Sequence, residues 1–142
     1  IACYNAYSYL GREVPLPELI ESFEREGPCL GGAFGSTIKS MLRSITRQGF
    51  TYRLCKLQGK RSERDINRIK ALEETYSCFI LMMWNDGSLR GGIHTVCITR
   101  TMSGWCLHNP FGEKDTLIDA LFSYYNADMK CFIKPIALIG IK

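Results

Sequence analysis

Cys3, His94 and Asn109 are the side chains in this chain whose types suit acyl transfer through a thiol. A cysteine attacks as its thiolate, which a nearby base and the positive end of a helix both favour. Cys3 falls where a first helix is expected to begin, and of the seven cysteines it alone has that setting. The chain has two histidines, 94 and 108. His94 follows Gly91-Gly92 and opens an expected strand, and paired glycines leave room for a substrate backbone to approach. Asn109 comes 15 positions after His94. A strand, a short turn and a returning strand bring such positions back to one end of a hairpin. Successive strand residues point to opposite faces, so His108 and Asn109 cannot both face the partner of His94. An amide at 109 would accept a hydrogen bond from the His94 ring and fix its tautomer and orientation.

Each residue also has a plainer reading. Cys3 serves as a small apolar residue, His94 as a satisfied strand-edge residue, and Asn109-Pro110 as the start of a turn. What lifts the three above these readings is their combination in the chain order Cys, His, Asn.

The elements needed to position them are legible as patterns. Residues 3–10 suit a short helix with Gly11 as its stop. Pro15 and Pro17 start a second helix, with Leu16, Leu19, Ile20 and Phe23 on one face. Gly27-Pro28 ends it, and residues 31–35 form a loop. Ser36 or Thr37 caps a third helix bearing Ile38, Met41, Leu42 and Ile45, and Gly49 ends it. Residues 50–57 read as a strand. Ser62 caps a fourth helix, with Asp65 near the capping-box position and Ile66, Ile69 and Leu72 on its apolar face.

The second half turns to strands. The continuous apolar run 78–84 predicts a central strand buried on both sides, followed by a turn at Asn85-Asp86-Gly87. Residues 93–100 form the next strand, 101–104 a turn, and 105–109 the return. Residues 115–125 predict a helix with Leu117, Ile118, Leu121, Phe122 and Tyr125 on one face, and 132–141 a last strand. The expectation is an α+β domain spanning 1–142, with amino-terminal helices packed on a carboxyl-terminal antiparallel sheet.

Composition narrows the field. The 142 residues are 46% hydrophobic and 23% charged, the range of a globular domain. No apolar run approaches the ~20 residues of a membrane span. The net charge of +4 is mixed along the chain, and its densest basic patch, Lys60-Arg61 with Arg64, reads as a solvated loop beside Asp65. A nucleic-acid partner is not expected, because no basic stripe interleaves with exposed aromatics. The cysteines lack any Cys-x-x-Cys pair, so no metal site and no cofactor are expected. Their odd number and placement in apolar runs predict free thiols, a reducing compartment and a cytoplasmic setting. Ile1 in place of Met reads as the start of a fragment, a processed product or a domain of a larger protein or polyprotein.

The chain resembles the compact members of the papain-like cysteine-peptidase superfamily. It is most similar to the double-glycine leader peptidases of bacteriocin export. The resemblance rests on Cys3 at a helix start, the helix-to-strand step Ser40–Tyr52, Gly92-Ile-His-Thr-Val-Cys-Ile98, and Trp105-Cys-Leu-His-Asn-Pro-Phe-Gly112. It covers nearly the whole chain, in order of elements more than in identities. Josephin-type deubiquitinases and picornaviral leader proteases are similar in the spacing from His94 to Asn109 and in Gly104-Trp105.

The resemblance implies a thiol hydrolase acting on a peptide or isopeptide bond of a peptide or protein substrate. Cys3 is then the nucleophile, His94 the base and Asn109 the orienting residue, with Gly91, Gly92 and Trp105 along the substrate. It equally covers a glutamine deamidase or deubiquitinase with the same triad, and a degenerate relative that binds peptides without cutting them. Three positions depart from the leader-peptidase pattern. Tyr4 follows the nucleophile in place of a small residue, and Asn109 stands in place of Asp. The oxyanion-hole Gln would fall before Ile1.

Overall fold

The computed structural model describes residues 1–26, 37–58, 61–84, 93–108, 112–122, 125–126, 131–132 and 134–142. Its elements run α1 (Ala2–Tyr9), α2 (Leu16–Arg25), α3 (Ile38–Arg47), β1 (Tyr52–Lys56), α4 (Glu63–Glu73), β2 (Cys78–Trp84), β3 (Ile93–Arg100), β4 (Trp105–Leu107), β5 (Gly112–Lys114), α5 (Leu117–Phe122), β6 (Tyr125–Asn126), β7 (Cys131–Phe132) and β8 (Lys134–Ile141). The α+β class follows. No helix among the described residues is long and apolar enough to cross a membrane.

Local chemistry accounts for most helix ends. α1 stops where Gly11 takes φ 77° and α3 where Gly49 takes φ 84°, both in the left-handed region that glycine enters without steric cost. The Thr37 side chain accepts from the Ser40 N–H and the Ser62 side chain from the Asp65 N–H, so both expected caps form. Asp65 does not complete a capping box. Its carboxylate is fully buried and accepts from the Gln58 N–H at 2.8 Å, tying the start of α4 to the end of β1. α5 is shorter than the apolar pattern predicts. Thr116 and Asp119 close its first turn, and it ends at Phe122. Tyr125, expected on the same helix, pairs instead with Phe132 in the β6–β7 ladder.

One six-stranded sheet has the order β1-β8-β2-β3-β4-β5, and every neighbouring pair is antiparallel. Its pleat sorts the side chains into two cores. Cys78, Ile80 and Met82 of β2, Cys97 of β3, and Ala137, Ile139 and Ile141 of β8 meet α1, α2 and α3 through Ala6, Tyr7, Leu19, Met41 and Ile45. Phe79, Leu81, Met83, Val96, Ile98 and Leu138 face the other way, onto Ile69 and Leu72 of α4 and Leu117 and Leu121 of α5. The result is a helix–sheet–helix sandwich. The first three helices cover one face as expected, whereas α4 crosses to the other, and β1 from the first half of the chain becomes an edge strand. The run 78–84 occupies the predicted central, two-sided position because its residues are apolar on both alternations.

Candidate active site

α1 is laid along the sheet by contacts near its middle and carboxyl end. The Cys78 thiol lies 3.9 Å from the Ala6 carbonyl, and the Tyr9 hydroxyl donates to the Arg100 carbonyl at 3.0 Å. Arg100 ends β3 and Cys78 stands opposite Thr99 beside it, so both contacts hold α1 at that end of the strand pair. Cys3 is the second residue of the helix.

The faces are another matter. Cys3 is 4% exposed and lies in the core with Cys78 and Cys97. Burial holds its pKa up at about 11, outweighing the Tyr7 hydrogen bond and the Ile1 amino group, which pull it down. Expectation placed a thiolate at a helix amino end, but loss of solvent around the sulfur dominates here. His94 stands opposite Met83 in the β2–β3 ladder, while Thr95 stands opposite Met82. Residues opposite one another share a face. Met83 belongs to the core under α4 and α5, and Met82 to the core under α1. Position 94 thus falls on the alternation of Val96 and Ile98, across the sheet from the Cys3 thiol.

His108, set aside in the sequence reading, is the imidazole on the thiol's face. Its N–H donates to the Cys97 carbonyl at 2.9 Å, one step beyond the Thr99–Cys106 pair, and its Nε2 lies 2.7 Å from the Thr99 hydroxyl. Position 108 therefore shares the alternation of Cys97 and Thr99. Only the β3–β4 register reveals this, and residue spacing carries no trace of it. Asn109, Gly91 and Gly92, expected to orient the ring and line the substrate, lie outside the described residues.

Trp105 is not a substrate-facing residue. It is 2% exposed, donates its indole N–H to a Glu73 carboxylate oxygen at 2.8 Å, and packs against Phe79 with ring centroids 5.4 Å apart. The Arg100 guanidinium lies 5.0 Å from its ring centroid. Its position opposite Arg100 in the ladder turns it into the core under α4, so an aromatic read as a surface contact is a structural anchor.

The thiols of the α1 face influence one another. The Cys97 pKa is raised, first by its hydrogen bond with Cys78, then by burial, then by the charges of Cys78, Cys3 and Cys106. Among the described cysteines, 3, 55, 78, 97 and 106 are free thiols, as expected. Among the described residues no group of three or more His, Cys, Asp or Glu side chains is arranged to hold a metal ion. No family model, no curated protein and no solved structure matches this chain.

Proposed function

We propose that the chain is a papain-like thiol hydrolase acting on a peptide or isopeptide bond, with Cys3 as nucleophile, His94 as base and Asn109 as the residue orienting the imidazole. The observation that supports this reading is the place of Cys3 as the second residue of α1, a helix packed on the sheet whose strand β3 carries His94. In the reaction the Cys3 sulfur bonds to the substrate carbonyl carbon and its proton passes through the imidazole to the leaving nitrogen as the C–N bond breaks. Water then cleaves the thioester, giving the carboxylate product and restoring the thiol. The Cys3 N–H, at the helix amino end, supplies one oxyanion donor. The mechanism requires the thiol to leave the α1 core and meet the imidazole at the end of the sheet, a change that substrate contacts with this end would drive.

The buried thiol favours a second reading, a degenerate relative that binds peptides and does not cut them. Two alkylating agents separate the readings. With a pKa of about 11 the thiolate fraction at pH 7 is about 10⁻⁴, so iodoacetamide is expected to label Cys3 slowly. A peptidyl epoxide, whose peptide occupies the substrate site, is expected to label Cys3 at pH 7 at least ~10²-fold faster than it labels the His94→Ala variant. His108→Ala should retain that labelling. Peptide binding without any Cys3 adduct establishes the second reading. Labelling indifferent to His94 removes the triad.

A further inference from the structure

We infer that the groove between β1 and α4 docks an extended acidic peptide segment of a partner protein, added as a strand to the free edge of β1. The inference is independent of the thiol chemistry. β8 and β2 stand between β1 and β3 in the sheet, which sets the groove about 14 Å from β3.

The groove measures about 540 Å³ and is lined by Arg53, Leu54, Cys55 and Lys56 of β1 and by Arg64, Arg68, Ala71 and Leu72 of α4. Four of these eight carry positive charge, Arg53, Arg64 and Arg68 toward the groove and Lys56, opposite Ala137, on the other alternation of β1. Arg64 and Arg68 are one helical turn apart on α4, and no salt bridge among the described residues engages any of the four cations. The nearby Asp65 carboxylate is turned inward, buried and bonded to the Gln58 N–H. Elsewhere on the molecule several arginines are matched, Arg43 and Arg47 by Glu26 and Arg61 by Asp119. Here the positive charge is concentrated and unmatched.

The backbone supplies the second half of the argument. Thr51 and Lys142 exchange both main-chain hydrogen bonds, and the Leu57 N–H donates to the Ile136 carbonyl. In an antiparallel ladder such pairs recur every second residue. Arg53 and Cys55 therefore bond inward to β8, while the N–H and C=O groups of Tyr52, Leu54 and Lys56 point outward. Arg68 Nη1 donates to the Lys56 carbonyl at 3.3 Å. Tyr52 and Leu54 are left presenting the open edge, and no described strand pairs with it. An added strand bonding there would direct every second side chain toward Arg53, Arg64 and Arg68, a spacing met by Glu or Asp at alternate positions. A compact anion uses the cations and ignores the edge. A nucleic acid uses the cations and calls for exposed aromatic stacking surfaces, which the groove lining lacks.

The test is fluorescence anisotropy with a seven-residue peptide alternating Glu and Val, capped at both ends. The peptide is expected to bind, with its affinity falling as salt rises from 50 to 500 mM. Arg64→Glu and Arg68→Glu should each weaken binding about tenfold or more, while the Lys-for-Glu peptide fails to bind. A peptide N-methylated along the edge facing β1 should lose at least about tenfold, a change that leaves the protein untouched. Equal binding of the methylated peptide overturns strand addition. Displacement of the peptide by millimolar inorganic phosphate, or tighter binding of single-stranded oligouridine, overturns the acidic-peptide assignment, as does unchanged affinity in both arginine variants with unaltered melting curves.

Discussion

At the scale of single residues, burial decides more than residue type. Cys3, Tyr7 and Cys97 each have acidity suppressed, burial being the largest cause for Cys3 and Tyr7 and the Cys78 hydrogen bond for Cys97. A group that holds its proton to higher pH when folded gives stability that is complete below its unfolded pKa. That stability is lost as pH climbs toward the folded value, because the unfolded chain releases the proton first. For Cys3 the window runs from 9.0 to about 11. Urea unfolding should show stability falling across this range, with Cys3 contributing a slope of about 1.4 kcal/mol per pH unit. Cys3→Ala should flatten the slope by that share. An unchanged slope would mean the thiol is solvated in the native state. Trp105 teaches the same lesson from the polar side, since its indole N–H is satisfied by Glu73 inside the protein. Neither burial is written in the local sequence, because both depend on which face a neighbouring strand presents.

At the scale of elements, local signals were readable where one short-range contact fixes the end. Thr37 and Ser62 cap α3 and α4 as their sequence positions imply, and Thr37→Ala should cost about 0.5–2 kcal/mol by chemical denaturation. β2 and β3 were likewise readable, one from continuous apolarity and one from its length between turns. α5 was over-extended because Tyr125 continues a helical apolar spacing yet finds its partner in β7. The sidedness of the candidate site was not readable either. Spacing brings His94 and Asn109 to a hairpin, but the face on which position 94 falls is set by its pairing with Met83, a contact between strands. Close packing between elements is equally non-local. A Cβ on Gly140 of β8 would lie 2.7 Å from the Tyr76 ring. Gly140→Ala should therefore lower stability by about 1–3 kcal/mol, measurable in urea, whereas Gly11→Ala should cost through backbone conformation alone, with no contact to relieve.

At the scale of the whole molecule, the arrangement of layers was only half visible. Helices first and strands afterward correctly implied α+β, but the passage of α4 to the far face and of β1 to the sheet edge follows from how β8 enters. β8 lies between β1 and β2, pairing with both along most of its length. Without it, β1 has no described partner and β2 loses one of two. Synthesis proceeds from the amino end, so a nascent chain exposes two unpaired strand edges, that of β2 strongly apolar, until residues 134–141 clear the ribosome. The molecule is then a zip fastener whose slider arrives last. Its folding in the cell should wait on translation of that segment, and stalled or truncated chains should be the preferred clients of chaperones that grip open β-edges.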